Sequence, residues 1–300
     1  MINSIEIILV PTIMIMVGLF LKHINFLKSS DSQVLNKIVI NISLPSLIFI
    51  NLLTTNVNRD VIILPVTAVC LVFVTALIAY FYSKLRNYPK KTIWTIILAS
   101  SMMNTAFIGY PVIMGVLGNE GFVTSIFYDM AIAIVFVVYA MILVGVFGGD
   151  KKQVIHDGLT FMPLWAVVIA LIFNVLNIEV GYVLESSIKY LGQATIPLIM
   201  LSLGLTLDLR AIKSKLSDSI FILSLRLILA PLLVIFVYKM FDINSLIYNV
   251  AVLDSAMPIA MNCLVLSINY DLDNNLMASV IFLSTLLCVV TLTVFVTFIN

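Results

Sequence analysis

Two long apolar segments of the sequence are interrupted by proline, in the stretches Asn104-Thr-Ala-Phe-Ile-Gly-Tyr-Pro111 and Asp254-Ser-Ala-Met-Pro258-Ile-Ala-Met-Asn262. Proline removes a backbone N–H and clashes with the carbonyl four residues earlier, so each segment is predicted to be a broken helix. In lipid, non-helical backbone is stable only where it is buried in protein or lines a water-filled cavity. The two breaks therefore predict a functional site, and a proline kink with only a packing role is the alternative interpretation.

The composition predicts that the chain lies in a membrane. Of its 300 residues, 62% are hydrophobic and only 10% are charged, whereas about a quarter of the residues of a soluble domain are charged. A net charge of +1 provides no concentrated basic surface for a nucleic-acid partner. The three cysteines, Cys70, Cys263 and Cys288, lie in apolar runs without the spacing of a disulfide framework or a metal site. We therefore predict no metal and no cofactor.

Ten apolar segments are long enough to cross a bilayer, which takes about 20 residues of helix. The chain is accordingly predicted to be an all-α membrane protein with ten transmembrane helices. The first segment has no basic stretch ahead of it and no small-residue cleavage site, so it is interpreted as a retained span rather than a signal peptide. The predicted spans are 5–21, 34–53, 61–82, 92–117, 122–147, 161–177, 188–208, 217–240, 246–269 and 276–299.

Basic residues predict the orientation, because cytoplasmic loops retain Lys and Arg. The even-numbered loops hold three of them, Arg59, Lys189 and Lys239, against twelve assigned to the odd-numbered loops. We therefore expect the odd loops to be cytoplasmic and both termini to lie outside the cell membrane. The twelve are Lys22, Lys28, Lys37, Lys84, Arg86, Lys90, Lys91, Lys151, Lys152, Arg210, Lys213 and Lys215.

Ten spans divide into two halves of five, residues 1–150 and 151–300. An odd number of spans in each half turns the second half upside down relative to the first, which is the inverted-repeat architecture of many secondary transporters. Pro45 in the second span is matched by Pro197 in the seventh, 152 positions later, and the interrupted fourth and ninth spans also correspond. The sequence thus predicts two inverted five-helix repeats.

Ionisable side chains inside membrane spans are costly and usually functional. The candidates are Arg226 in the eighth span, Asp254 in the ninth and Asp129 in the fifth. Arg226 stays charged, so it either pairs with one of these aspartates or meets an anionic substrate. Burial favours the neutral form of a carboxyl group. Asp254, which adjoins the break, is therefore the better candidate for coupling to protons or a cation, and Asp129 is the second.

Other classes of function compete with a carrier. Tyr128-Asp129 matches half of the intramembrane aspartyl protease pattern, but the Gly-x-Gly-Asp half is absent, and the sequence has no His-Glu-x-x-His zinc motif, so an enzyme is disfavoured. A passive channel is a second alternative. A carrier would show saturation and counterflow, and a channel would not. A bile-acid-type sodium symporter shares crossed broken helices, but it is expected to carry more sodium-liganding polar residues there.

Four motifs, spread over nearly the whole chain, together resemble the auxin efflux carrier family. This family includes plant auxin carriers and bacterial permeases for malate and related acids. The motifs are Asn41-Ile-Ser-Leu-Pro45, Asn104-Thr-Ala-Phe-Ile-Gly-Tyr-Pro111, Ile196-Pro-Leu-Ile-Met-Leu-Ser-Leu-Gly204 and Met257-Pro-Ile-Ala-Met-Asn262.

The resemblance implies an architecture and a site. Spans four and nine are expected to cross at Pro111 and Pro258. Spans one, two, six and seven form a scaffold that also makes a homodimer, and spans three to five and eight to ten form a transport domain that moves like an elevator. A carboxylate substrate binds near the crossing. The implied substrate-site residues are Asn104, Gly109, Tyr110, Pro111, Pro258 and Asn262, with Asn41 and Ser43 on the scaffold side, and Arg226 is the candidate to attract the anion.

Two departures from the plant members argue against auxin as the substrate. Only a short loop separates Gly148 from Thr160, where plant carriers have a long hydrophilic region, and the third span, 61–82, contains no ionisable residue. We therefore expect a permease for a small organic anion, with protons or sodium as the coupling ion.

Overall fold

The computed structural model describes residues 4–55, 59–206, 216–241, 243 and 245–299. Within these ranges the chain is helical and contains no β-strand, as predicted for an all-α protein. Three of the basic residues used for the orientation, Arg210, Lys213 and Lys215, lie outside the described residues.

The first half of the chain contains six α-helices, and short turns of other helix types interrupt or extend them. A π-helical turn, Val39–Ser43, joins α2 to α3, and another, Thr105–Gly109, precedes α6. A 3₁₀ turn, Arg59–Ile62, leads into α4. The α-helices are α1 (Ser4–His23), α2 (Asp31–Ile38), α3 (Leu44–Thr54), α4 (Ile63–Leu85), α5 (Lys90–Ser101) and α6 (Tyr110–Phe147).

The second half follows a similar course with more and shorter helices. A third π-helical turn, Leu225–Leu229, joins α11 to α12. The helices are α7 (Lys151–Leu159), α8 (Met162–Val175), α9 (Tyr182–Gln193), α10 (Thr195–Thr206), α11 (Leu216–Ser224), α12 (Ala230–Lys239), α13 (Ser245–Ser255), α14 (Asn262–Asn269) and α15 (Asn274–Ile299).

Seven helical stretches of the described chain are long and apolar enough to cross a membrane by themselves, compared with ten predicted spans. The predicted fourth and ninth spans are broken, and their pieces α5, α13 and α14 have 12, 11 and 8 residues, fewer than the roughly 20 that a crossing takes. The described apolar part of the first span, Leu9–His23, is also short. The difference between the ten predicted spans and the seven long apolar helices therefore comes largely from the two breaks.

One of the seven stretches, Thr105–Phe147, has 43 residues and would be about 65 Å long as a straight helix, twice the hydrocarbon thickness. It is not straight, because Gly118 has φ 67° and ψ −160° inside α6. Glycine adopts positive φ without steric cost. The kink lies at the turn predicted between spans four and five, so α6 contains the end of one predicted span and the whole of the next.

Close packing joins α1 to α10 and α3 to α8. Gly18 and Gly204 allow the first contact: a Cβ atom on Gly204 would overlap the carbonyl oxygen of Ile15 and lie 2.7 Å from the Cα atom of Gly18. Small residues at such positions let membrane helices approach closely. In the second contact, the amide of Asn174 in α8 donates to carbonyl oxygens at the end of α3 and just beyond it, at 2.9 Å for Leu52 and Leu53 and 3.2 Å for Thr55.

The outward faces of the helices are apolar. Large side chains such as Val10, Phe73, Phe236 and Val290 are 60–67% exposed. Soluble monomers rarely expose contiguous apolar surface of this kind. Lipid is therefore the natural solvent for these faces, as the composition predicts.

Candidate functional site

The two interrupted segments meet each other at their breaks. Helix α5 ends at Ser101 and α13 ends at Ser255, and between the non-helical segments that follow, Met103 and Ile259 form an antiparallel bridge. The N–H of Asn104 donates to the carbonyl of Pro258 at 2.8 Å, and the N–H of Ala260 donates to the carbonyl of Met102 at 3.2 Å. Each break thus supplies hydrogen-bond partners for the other, which is how unwound backbone is stabilised away from water.

The predicted breaks are confirmed, but the crossing point in the first segment was predicted wrongly. The meeting point is Met103, whereas Pro111 lies eight residues later in the first turn of α6. Proline is tolerated in a first helical turn, where its missing N–H has little consequence. The preceding π-helical turn, Thr105–Gly109, connects the break to that helix. In the second segment Pro258 does lie in the crossing, as predicted.

Asn104 begins the helical part of the first segment after the break. Its side-chain Oδ1 accepts a hydrogen bond of 3.1 Å from the N–H of Phe107, which caps the π-helical turn. The side-chain Nδ2 atom is buried and has no hydrogen-bond partner among the described residues. A helix N-terminus carries partial positive charge. The cap and the unused donor therefore make this end of the break suited to an anion.

Arg226 donates hydrogen bonds to the backbone of the second break. It lies in the π-helical turn between α11 and α12, is 0% exposed, and donates from Nε to the carbonyl of Met257 at 3.2 Å and from Nη2 to the carbonyl of Ser255. These carbonyls end or follow α13, where a cation complements the helix dipole. Of the residues described, none forms an ion pair with Arg226, so of the two alternatives for this side chain the structure does not show the pairing with Asp254 or Asp129. Its Nη1 atom is buried and, within the described chain, unpartnered.

The two predicted coupling aspartates have different surroundings. Both oxygens of Asp129 accept hydrogen bonds, one from the hydroxyl of Thr105 and one from the hydroxyl of Tyr110 at 2.8 Å. Asp254 is 0% exposed, and its Oδ2 accepts from the hydroxyl of Ser125 at 2.8 Å. Its Oδ1 has no partner among the residues that the structure describes. Asp129 is therefore fully hydrogen-bonded, and Asp254 is not.

The other predicted site residues differ in their contacts and in their exposure. Gly109 faces Asp254, because a Cβ atom there would lie 3.1 Å from Oδ1. Tyr110 is buried and bonded to Asp129, so its hydroxyl already has a partner. Asn262 is exposed at the start of α14.

The structure places Asn41 and Ser43 in the π-helical turn Val39–Ser43, which packs against α8, α9 and α10. The exposed amide of Asn41 donates to the carbonyl of Lys37 at 2.8 Å, and Ser43 is buried. Helix α10 in turn packs against the π-helical turn Thr105–Gly109. A role for Asn41 and Ser43 in the site remains a prediction.

Three residues that contact the predicted ones were not predicted from the sequence, namely Thr105, Ser125 and Ser255. Ser125 had a detectable signal, since it lies four positions before Asp129 on the same face of a predicted helix. Thr105 and Ser255 each adjoin a residue that was singled out. Their contacts with Asp129 and Arg226 run between helices, and a sequence pattern does not define such contacts.

Similarity to known proteins shows the family of the chain. A family model described as "Membrane transport protein" matches residues 4–154 and 151–296 of the chain. The chain belongs to this auxin efflux carrier-like membrane transport family. The resemblance noted from four motifs is thereby confirmed, and the protein is a multi-pass membrane transporter.

Similar proteins in archaea and bacteria also carry the name of transporter. The chain is 35% identical over 292 residues to an uncharacterized transporter of Methanothermobacter thermautotrophicus, covering 97% of this chain and 96% of that protein. It is 34% identical over 295 residues to an uncharacterized transporter of Methanocaldococcus jannaschii, covering 93% and 94%. A more distant relative, the uncharacterized transporter YfdV of Escherichia coli, is 23% identical over 282 residues, covering 88% and 87%.

Proposed function

We propose that this transporter is a secondary active permease that moves a small organic anion, such as malate or another carboxylate, across the cytoplasmic membrane by alternating access. The observation that carries the proposal is the meeting of two broken segments at Met103 and Ile259. Near this meeting point, Asn104 caps a helix N-terminus and keeps an unused side-chain amide donor. Arg226 adds a buried positive charge. Both features favour negative charge.

The proposed architecture has ten spans in two inverted five-helix repeats, residues 1–150 and 151–300. Helix α5 and the residues up to the kink at Gly118 form the broken fourth span, and α13 with α14 forms the ninth. Breaks in equivalent spans of the two halves are what an inverted repeat provides at its binding site.

The proposed movement is an elevator-like shift of a transport domain against a scaffold, and the scaffold also forms the homodimer. Two groups of packed helices support this division. Helices α1, α2, α3, α8, α9 and α10 pack on one another, whereas α4, α5, α6, α11, α12, α13 and α15 make most of their contacts among themselves. Helix α10 contacts the π-helical turn at the break, so the site would lie where the two groups meet.

Counterflow of radiolabelled malate into vesicles that contain the purified transporter tests the proposal. We expect saturable counterflow in the wild type, and a strong loss in Asn104→Ala and Pro258→Ala, which alter the two breaks. The matched controls are Asn51→Ala, which removes an amide bonded to the carbonyl of Leu47 in its own helix, and Pro65→Ala in the first turn of α4. Both controls should transport like the wild type.

Two outcomes would overturn parts of the proposal, and a third would identify a sodium-coupled mechanism. Unchanged counterflow in both Asn104→Ala and Pro258→Ala would show that the substrate does not bind at the breaks. Uptake that neither saturates nor shows counterflow would indicate a passive channel. Uptake that requires sodium would indicate the mechanism of a sodium symporter.

A further inference from the structure

We propose that Asp254 is a proton-binding site that couples the movement of the anion to the movement of a proton in the same direction. This inference rests on the proposed transport of a small organic anion. In each cycle Oδ1 of Asp254 takes a proton from water on one side of the membrane and releases it to water on the other. The chain is then a proton–anion symporter.

The two carboxyl oxygens of Asp254 are bonded unequally. Asp254 is 0% exposed, and Oδ2 accepts a hydrogen bond from Ser125 whereas Oδ1 has no partner within the described ranges. Burying an ionised carboxylate without a cation is energetically unfavourable, so such groups are normally paired or neutral. A proton on Oδ1 removes the charge without disturbing the bond to Ser125.

The charged and titratable groups around Asp254 do not neutralise it. Arg226 is a buried cation that contacts Ser255, the residue next to Asp254, and it donates its hydrogen bonds to the carbonyls of Ser255 and Met257. Asp129 adds negative charge on the neighbouring helix α6, and the buried face of α4 carries no titratable side chain. The other titratable side chains on α13 and on the elements packed against it are either buried or partly buried or lie on outer parts of their helices. The first set is Tyr110, Tyr128, Tyr139, Tyr238, Tyr248 and Cys288, and the second is Cys70, Tyr80, Tyr82, Lys84, Glu120 and Lys239.

The space beside Oδ1 of Asp254 is small, which favours a proton over a metal cation. A Cβ atom on Gly109 would lie 3.1 Å from Oδ1 and 3.5 Å from Cγ of Met257. A metal cation brings a shell of several oxygen ligands. The described part of the chain contains no cluster of three or more acidic, histidine or cysteine side chains that would hold a metal ion. A proton needs neither a shell nor additional space.

Infrared spectroscopy of the purified transporter in detergent tests the proton site without any substrate. The C=O stretch of a protonated carboxyl group is recorded at neutral pH for the wild type, Asp254→Asn and the matched variant Asp129→Asn. We expect a protonated-carboxyl band that is lost in Asp254→Asn and retained in Asp129→Asn. Absence of the band from the wild type, or its persistence in Asp254→Asn, would overturn the inference. If Asp254→Asn does not fold, Ser125→Ala should shift the frequency of the band, and an unshifted band would count against it.

Flux measurements then separate this inference from the proposed function. Vesicles that contain the transporter and a trapped pH-sensitive dye are given labelled malate. We expect the interior to acidify during uptake, and an inward proton gradient of about one pH unit to raise malate accumulation about tenfold. Wild-type uptake without acidification would disprove proton coupling and leave the permease intact. Absence of malate counterflow would instead count against malate transport, and the infrared result would still decide the proton site.

Discussion

At the scale of single residues, the polar side chains buried around the breaks fall into two groups. Asp129 has a hydrogen-bond partner for each carboxyl oxygen, and Arg226 uses two of its three nitrogen atoms on backbone carbonyls. Asp254, Asn104 and Arg226 each keep one buried atom with no partner in the described chain, namely Oδ1, Nδ2 and Nη1. Fully bonded side chains fix the geometry of the site, and atoms that remain unpartnered are available to a ligand or a proton.

The bonds of Arg226 predict that it positions the break at the end of α13 rather than binding the substrate directly. Arg226→Met leaves the carbonyls of Ser255 and Met257 unpaired, which we expect to cost about 1–3 kcal/mol for each. The melting temperature in detergent should therefore fall, and Arg226→Lys should recover part of the loss. Lys189→Met, which removes an exposed charge, is the control and should melt like the wild type.

The KM of labelled malate distinguishes this role from substrate binding. If Arg226 positions the break, the variants that still transport should change mainly in maximal rate and in melting temperature. A large increase in KM for Arg226→Lys at an unchanged melting temperature would show instead that its guanidinium contacts the anion.

At the scale of helices, glycine and asparagine decide how closely neighbours approach. Gly18 and Gly204 bring α1 and α10 into backbone contact, and Asn174 of α8 supplies donors to the carbonyls at the end of α3. Between membrane helices, stability comes from such close packing and hydrogen bonding, because lipid tails are as apolar as the side chains. These contacts hold together the helices of the proposed scaffold.

Gly204→Ala is expected to destabilise the transporter. Its methyl group would overlap the carbonyl oxygen of Ile15, so α1 and α10 must move apart, at a cost of about 1–3 kcal/mol. Gly181→Ala is the matched control, since a Cβ atom there meets nothing within 4 Å. Thermal unfolding in detergent should separate the two variants, and equal melting temperatures would contradict the close contact between α1 and α10.

A second contact between elements predicts a dependence on pH. Tyr88, in the loop between α4 and α5, donates a hydrogen bond of 2.5 Å to Asp218 in α11. Burial, followed by this hydrogen bond, raises the pKa of Tyr88 from 10.0 to about 12. Since this folded-state pKa lies above the unfolded value, the stabilisation is complete below pH 10 and is lost as the pH rises through about 12.

Tyr88→Phe checks this contact, because it removes the hydroxyl and keeps the ring. The difference in melting temperature between the wild type and Tyr88→Phe should be constant up to pH 10 and should shrink toward pH 12. A difference that persists unchanged at high pH would mean that the ring, and not the hydroxyl group, provides the stabilisation.

At the scale of the whole molecule, the two groups of packed helices must move relative to each other if the proposed mechanism is correct. Thr206 of α10 lies against Met261 in the second break, with 3.8 Å between Oγ1 and Sδ. This contact joins the proposed scaffold to the proposed transport domain. Lys91 of α5 and Asp271, between α14 and α15, form an ion pair entirely within the proposed transport domain.

A short thiol cross-linker should therefore have opposite effects at these two places. In a variant with Cys70, Cys263 and Cys288 replaced by alanine, cross-linking Thr206→Cys to Met261→Cys should abolish malate counterflow, because it fixes the two groups together. Cross-linking Lys91→Cys to Asp271→Cys should leave counterflow intact. Full counterflow in the cross-linked Thr206–Met261 pair would contradict a movement between these helices.

Three properties of this protein were predicted from the order of its residues: it lies in a membrane, two of its apolar segments are broken, and it resembles one transporter family. Composition and segment length are averages over many residues, and a proline affects only the backbone near it. These properties can therefore be predicted without knowing how the helices pack. The break containing Pro258 was located correctly for this reason. Asp254 was singled out because an ionisable group in an apolar run is unusual whatever surrounds it.

The contacts of the breaks and of the buried charged side chains depend on how the helices pack. The first break meets its partner at Met103 rather than Pro111, because backbone pairing with Ile259 fixes the crossing and the proline fits into the first turn of α6. Arg226 bonds to carbonyls instead of to an aspartate, because the end of α13 presents unpaired backbone acceptors beside it. Such partners come from distant parts of the chain, and their positions depend on how the helices pack, which no local pattern of residues specifies.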